Sequence, residues 1–173
     1  MNTWKIDTAH AEIAFKVRHL MISTIRGIFT DFEGNISAKD DTLDGGTINF
    51  TTNTNSISTN NKDRNEHLMS ADFFDSAKFP TMSFVSTSIK RVKNELNIKG
   101  NLTIKDTTKE VELKASLSDL AKGMESEKVI GVELFGKINR SDFGLVWNVA
   151  LETGGVLIGD QVIIEAFLEI KEA

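Results

Sequence analysis

Apolar residues recur at every second position through most of this chain, and that spacing restricts it to strands with one buried face. Ile13, Phe15 and Val17 share a face opposite Glu12, Lys16 and Arg18. Ile28, Phe32 and Ile36 are expected together on one side of the next run, opposite Asp31, Glu33 and Asn35, followed by Ile48 and Phe50. Met82 with Phe84 begin the second half. Leu96, Ile98, Leu102 and Ile104 then face Val111, Leu113 and Leu117 across a turn at Lys105-Asp106-Thr107-Thr108. Ile130, Val132, Leu134 and Ile138 mark one C-terminal strand, and Val162, Ile164, Ala166, Leu168 and Ile170 the other.

That makes about eight strands, joined by short polar turns without repeated helices, a pattern of antiparallel meander connections. The fold class is therefore all-β, an antiparallel eight-stranded barrel with one short helical connection, the alternative being a two-sheet sandwich. Closure removes sheet edges, and a barrel of this size can enclose one small ligand.

One stretch breaks the alternation. Between Asn60 and Asp75, Arg64, His67, Leu68 and Ala71 fall at helical spacing behind a capping residue, Asn61 or Asp63. Pro80 then forces extended backbone at Phe79 and restarts the sheet at Thr81.

A length of 173 residues and a 40% hydrophobic composition suit one domain spanning 1–173. The net charge of −5 argues against a nucleic-acid partner, which requires clustered cations. The run Lys90-Arg91-Val92-Lys93 reads as a solvated turn. No charged start followed by an apolar signal stretch is seen, and no membrane-length apolar run, so a soluble cytoplasmic protein is expected. Four Asn-x-Ser/Thr sequons, beginning at Asn35, Asn49, Asn101 and Asn139, read as chance matches in that setting.

Catalytic signals are sparse. The chain has no Cys and three His, of which His10 with Glu12 is the nearest approach to a metal-ligand pair, and no metal site is expected. No Gly-x-Ser-x-Gly elbow is present. Gly154, Gly155 and Gly159 read as turn formers and not as a phosphate loop. What remains is an apolar interior with a few polar groups able to converge at one end, suited to an amphiphile. Candidate head-group residues are Arg18, Arg64, His67 and Arg140.

Three ordered stretches carry a family resemblance: Trp4-Lys5-Ile6-Asp7 with His10 and Glu12-Ile13-Ala14-Phe15; Asp63-Arg64-Asn65-Glu66-His67-Leu68 with Ala71-Asp72-Phe73-Phe74 and Phe79-Pro80; and Asn139-Arg140-Ser141-Asp142-Phe143-Gly144-Leu145. Arg26-Gly27 with Phe29-Thr30-Asp31-Phe32 and Lys99-Gly100-Asn101-Leu102-Thr103 extend it from Trp4 to Ile170. Together they resemble the YceI-like family of lipid-binding proteins. The resemblance implies a lipocalin-like barrel, often dimeric, that binds a polyisoprenoid or similar long amphiphile, with no established reaction and no cofactor.

Ligand contacts are then expected from Phe15, Val17, Arg18, Phe32 and Phe50, from Arg64, His67, Leu68 and Phe73 of the helical segment, and from Phe84, Leu102, Leu134, Arg140 and Phe143. The competing readings are an enzyme using His67, Asp142 or Glu165 as acid or base, and a structural barrel filled by its own side chains. Val129, Phe135, Ile163 and Phe167 give two strands an apolar outer face, which is the basis for expecting a homodimer.

Overall fold

The computed structural model describes residues 1–173. β1 (Asn2–His19), β2 (Ser23–Phe29), β3 (Phe32–Ala38), β4 (Thr47–Asn53) and β5 (Ile57–Ser58) precede the single α-helix, α1 (Lys62–Met69). β6 (Thr81–Val92), β7 (Glu95–Ile104), β8 (Thr107–Leu117), β9 (Ala121–Lys122), β10 (Lys128–Asn139) and β11 (Ile158–Glu172) follow. Every pairing is antiparallel, and β11 returns to pair with β1, from Trp4 opposite Glu172 to His19 opposite Ile158. That ladder closes the sheet into an eight-strand barrel, which removes the sandwich alternative.

Two of the eight wall positions are interrupted strands. β2 and β3 both run against β1, while β4 and β5 both run against the β2–β3 line. At the interruption the chain gains residues and the inward parity changes, as at any bulge. Phe29 therefore faces the interior in β2 and Ile36 in β3, and Ile28 lies outside the lining, contrary to the uninterrupted alternation expected for Ile28, Phe32 and Ile36. A second shift between Ser86 and Ser88 switches β6 from inward Phe84 to inward Ile89. Where no bulge intervenes, β7, β8, β10 and β11 keep the alternation read from the sequence, with Leu96, Ile98, Leu102 and Ile104 all buried.

One end of the barrel is closed. Trp4, fully buried at 0% exposure, belongs with Ala38, Leu43, Ile130 and Ile170 to the hydrophobic core. Leu43 comes from the β3–β4 connection, which is tied to the wall by a Gly45 N–H bond to the Ile89 carbonyl at 3.0 Å. Aromatic rings fill lateral space over glycines. Gly27 sits beneath the Phe15 ring, so a side chain there would displace that ring.

At the other end α1 lies across the opening. Asn61 caps it, accepting from the Arg64 N–H at 2.9 Å, so the cap is Asn61 and not Asp63. The helix stops at Met69, and the extended Ser70 backbone ends the periodic face before Ala71, which is exposed. Phe73 is buried behind it, and Thr54 Oγ1 donates to the Phe79 and Pro80 carbonyls at 2.9 and 3.1 Å where the chain re-enters the sheet. No helix is long and apolar enough to cross a membrane.

Candidate functional site

The inward faces do not meet at the centre. They leave a cavity of about 410 Å³ lined by 42 residues, of which 36 are hydrophobic. A barrel plugged by its own side chains is therefore not what the chain forms. Phe15 and Val17 reach the cavity from β1, Phe50 from β4, Phe84 from β6, Leu102 from β7 and Leu134 from β10. Arg64, His67, Leu68 and Phe73 reach it from the helical segment, and Arg140 from the short 3-10 turn Arg140–Phe143 after β10.

Three expected contacts lie elsewhere. Arg18 is exposed, and its Nη2 donates to the Met21 carbonyl at 2.9 Å, so it braces a turn. Phe32 sits at the β2–β3 interruption, its ring 6.1 Å from that of Phe50 and outside the lining. Phe143 is 2% exposed but buried in the wall's packing and not against the cavity.

Sequence reasoning missed His19, Leu145, Trp147, Leu157 and Ile158, all part of the lining. The alternation of Leu145 with Trp147 was the available signal, obscured by the glycines that follow. Those glycines do form a turn: Gly154 and Gly155 have φ of +88° and +84° within a small hairpin bridged by Ala150 and Val156.

The polar side chains of the lining are His19, Asn35, Arg64, His67 and Arg140, and none is a carboxylate. Arg140 is 6% exposed. Its Nε donates to the Gly159 carbonyl at 2.9 Å, its Nη1 to Leu145 and Trp147 at 2.6 and 3.0 Å, and its Nη2 to Ile158 at 3.4 Å. Burial pulls its pKa below the ordinary guanidinium value, opposed by the charge of Asp160. Arg64 is held by Thr59, with Nε to Oγ1 at 2.8 Å and Nη2 to the carbonyl at 2.6 Å. Both guanidiniums thus bond neutral oxygens directly, and the Asp160 carboxylate acts on Arg140 only through its charge. The His67 ring stands edge-on to Trp147 at 4.6 Å and to Phe73 at 5.1 Å, with Nε2 2.8 Å from Asp72.

The acid–base candidates do not converge. Asp142 is exposed and outside the lining, and Glu165 pairs with Lys16 at 3.1 Å on the outer wall, so neither joins His67. His10 and Glu12 do not form a metal pair, since Glu12 pairs with Arg26. His10 instead gathers with Asp7 and Glu169, but the Lys171 ammonium occupies that site 2.7 Å from Asp7. Hydrogen bonds from Lys171, then His10, hold the Asp7 carboxyl down to about 2.

Known proteins resemble this chain in sequence and fold. The profile described as a YceI-like domain matches residues 4–170. A UPF0312 protein of Staphylococcus aureus is 36% identical over 174 residues, covering 99% of this chain and 98% of that protein. The crystal structure of a Campylobacter jejuni YCEI protein superposes with a TM-score of 0.76 at 30% identity, covering 96% of each chain. A polyisoprenoid binding domain from Saccharophagus degradans superposes with a TM-score of 0.75 at 13% identity, covering 98% of each.

Replacing Arg140 by Met removes the donor from the Leu145, Trp147 and Gly159 carbonyls at once, while the Ile158 carbonyl keeps its bond from Asn148 Nδ2 at 2.8 Å. Urea unfolding is expected to show a loss of roughly 3 kcal/mol or more. A change within about 0.5 kcal/mol, the range of ordinary surface substitutions, would contradict this role.

Proposed function

This chain belongs to the YceI-like domain family, and from that premise we propose that it binds a polyisoprenoid or similar long-chain amphiphile inside the barrel, as carrier, store or sequestering protein. The observation that carries the reading is the cavity itself: about 410 Å³ with an overwhelmingly apolar lining and its cations gathered at one end. A lumen of that composition stabilises hydrocarbon and offers little to a sugar or a nucleotide. The fold shared with the Saccharophagus polyisoprenoid binding domain supports the same ligand class.

Magnitudes divide the work between tail and head. Each buried methylene contributes about 0.8 kcal/mol before ordering costs, so a few isoprene units outweigh a single charged contact worth roughly 1 kcal/mol. The tail sets affinity and the head sets direction. Arg64 supplies uncommitted donors and, with Arg140, positive charge with no carboxylate in the lining, which suits an acceptor-rich head such as a quinone or a phosphate. Nothing in that environment offers a nucleophile with a base, and the reading is of a binding protein without a reaction.

Protein purified without detergent, extracted with organic solvent and analysed by mass spectrometry, is expected to release a prenylated lipid in near-stoichiometric amount. Delipidated protein that takes up no long apolar molecule would contradict the reading.

The outer face of β10 and β11 supports a homodimer. Phe135 and Phe167, 44% and 46% exposed, lie diagonally across the two strands, with Glu165 opposite Phe135 and Glu133 opposite Phe167. Burying this pair against a second copy removes the largest aromatic surface from water. Sedimentation velocity is expected to show a dimer that Phe135→Asp with Phe167→Asp converts to monomer. A wild-type monomer at high concentration would end this part of the proposal.

A further inference from the structure

At the polar end of the cavity the rim turns apolar side chains outward into water. In the β1–β2 turn, Leu20 and Met21 both have φ of +55°, and the Ile22 N–H bonds the His19 carbonyl at 3.0 Å. Two successive left-handed residues make a turn that normally takes Asn-Gly, and bulky side chains there are held under strain. Met21 is 63% and Ile22 80% exposed, so packing against the protein does not account for the choice. Strain of this kind, retained at an exposed tip, points to a task for the side chains.

The second tip lies alongside. The Leu20 N–H bonds the Leu157 carbonyl at 2.8 Å, joining the turn to the segment between Gly144 and Ile158. Within that segment Leu145 and Trp147 line the cavity, while Val146 between them is 66% exposed and Val149 and Val156 are exposed beyond. The same short stretches therefore present one face to the cavity and the other to solvent.

We propose that these two tips, Leu20-Met21-Ile22 and Val146 with Val149 and Val156, dock the barrel's polar end on a lipid bilayer, where the cavity exchanges its occupant. The proposal rests on the lipid-binding reading above, because a water-insoluble occupant resides in a bilayer and must cross this rim. Charge also favours the bilayer interior over a charged partner: residues 19–23 and 145–157, which form the tips, carry a single charged side chain, Glu152. Docking is then driven by inserted apolar side chains and does not depend on anionic lipid.

Flotation with phosphatidylcholine vesicles, with and without phosphatidylglycerol, tests it. Wild-type protein is expected to float equally with both. Leu20→Asn with Met21→Gly places favoured residues in the turn, so melting temperature should rise while the vesicle-bound fraction falls at least about tenfold. Ile22→Asp should reduce flotation without altering the turn. Uptake of a prenol delivered from ethanol, without vesicles, should match wild type in both variants. Wild-type protein that stays out of the vesicle fraction would overturn the proposal, as would variants that float like wild type, or a dimer dissociated by these substitutions, which would assign the tips to a second copy. Wild-type protein that floats but takes up no prenol would leave the docking surface standing and remove the cavity reading.

Discussion

The hydrogen-bonded ladder between β1 and β11 is the constraint on which the rest depends. Once the first and last strands pair, every inward position of the sheet faces a common axis. An eight-strand circumference can be filled by side chains or can hold one small ligand, depending on which residues face inward. Where small residues such as Ala115 and Ala166 face inward, opposite walls fail to meet, and an apolar void is the consequence. Filling such a void with water is unfavourable, because the lining offers few polar partners for it. Hydrocarbon has no such requirement.

The two ends of the barrel then differ in kind. Trp4 and Leu43 seal one end with apolar packing and a fixed loop. The other is assembled from α1, the Arg140 turn and the segment up to Ile158, none of which belongs to the regular wall. Arg140 is central there because its guanidinium gathers carbonyls from Leu145, Trp147, Ile158 and Gly159, so one side chain ties down both ends of a connection whose own pairing is limited to the small hairpin at Ala150 and Val156. The same group leaves buried positive charge beside an apolar lumen. Structural organisation and head-group chemistry therefore reside in one residue.

How legible this was in the sequence depends on regularity. Unbroken strands such as β7 and β11 declare their inward faces by alternation alone, and the family motifs place Arg64, His67 and Arg140 near one end. Where the strand is interrupted, at Thr30 and Asp31, a change of parity makes Phe29 the inward residue and leaves Ile28 outside, and no count of alternating positions reveals a bulge. Arg18 was expected as a head-group contact because of its charge, and it lies outside the lining with its Nη2 donating to the Met21 carbonyl of the turn. His19 was missed although it ends β1 on the face of Ile13, Phe15 and Val17, because its polar side chain breaks the apolar pattern; Trp147 enters from an irregular segment, whose path is set by tertiary packing and not by periodicity.

Isothermal titration with a series of linear prenols of increasing length tests the central claim most directly. The account predicts that affinity climbs with each added isoprene unit and levels off once the lumen is full. Affinity indifferent to chain length would mean that the apolar interior is not where such molecules bind.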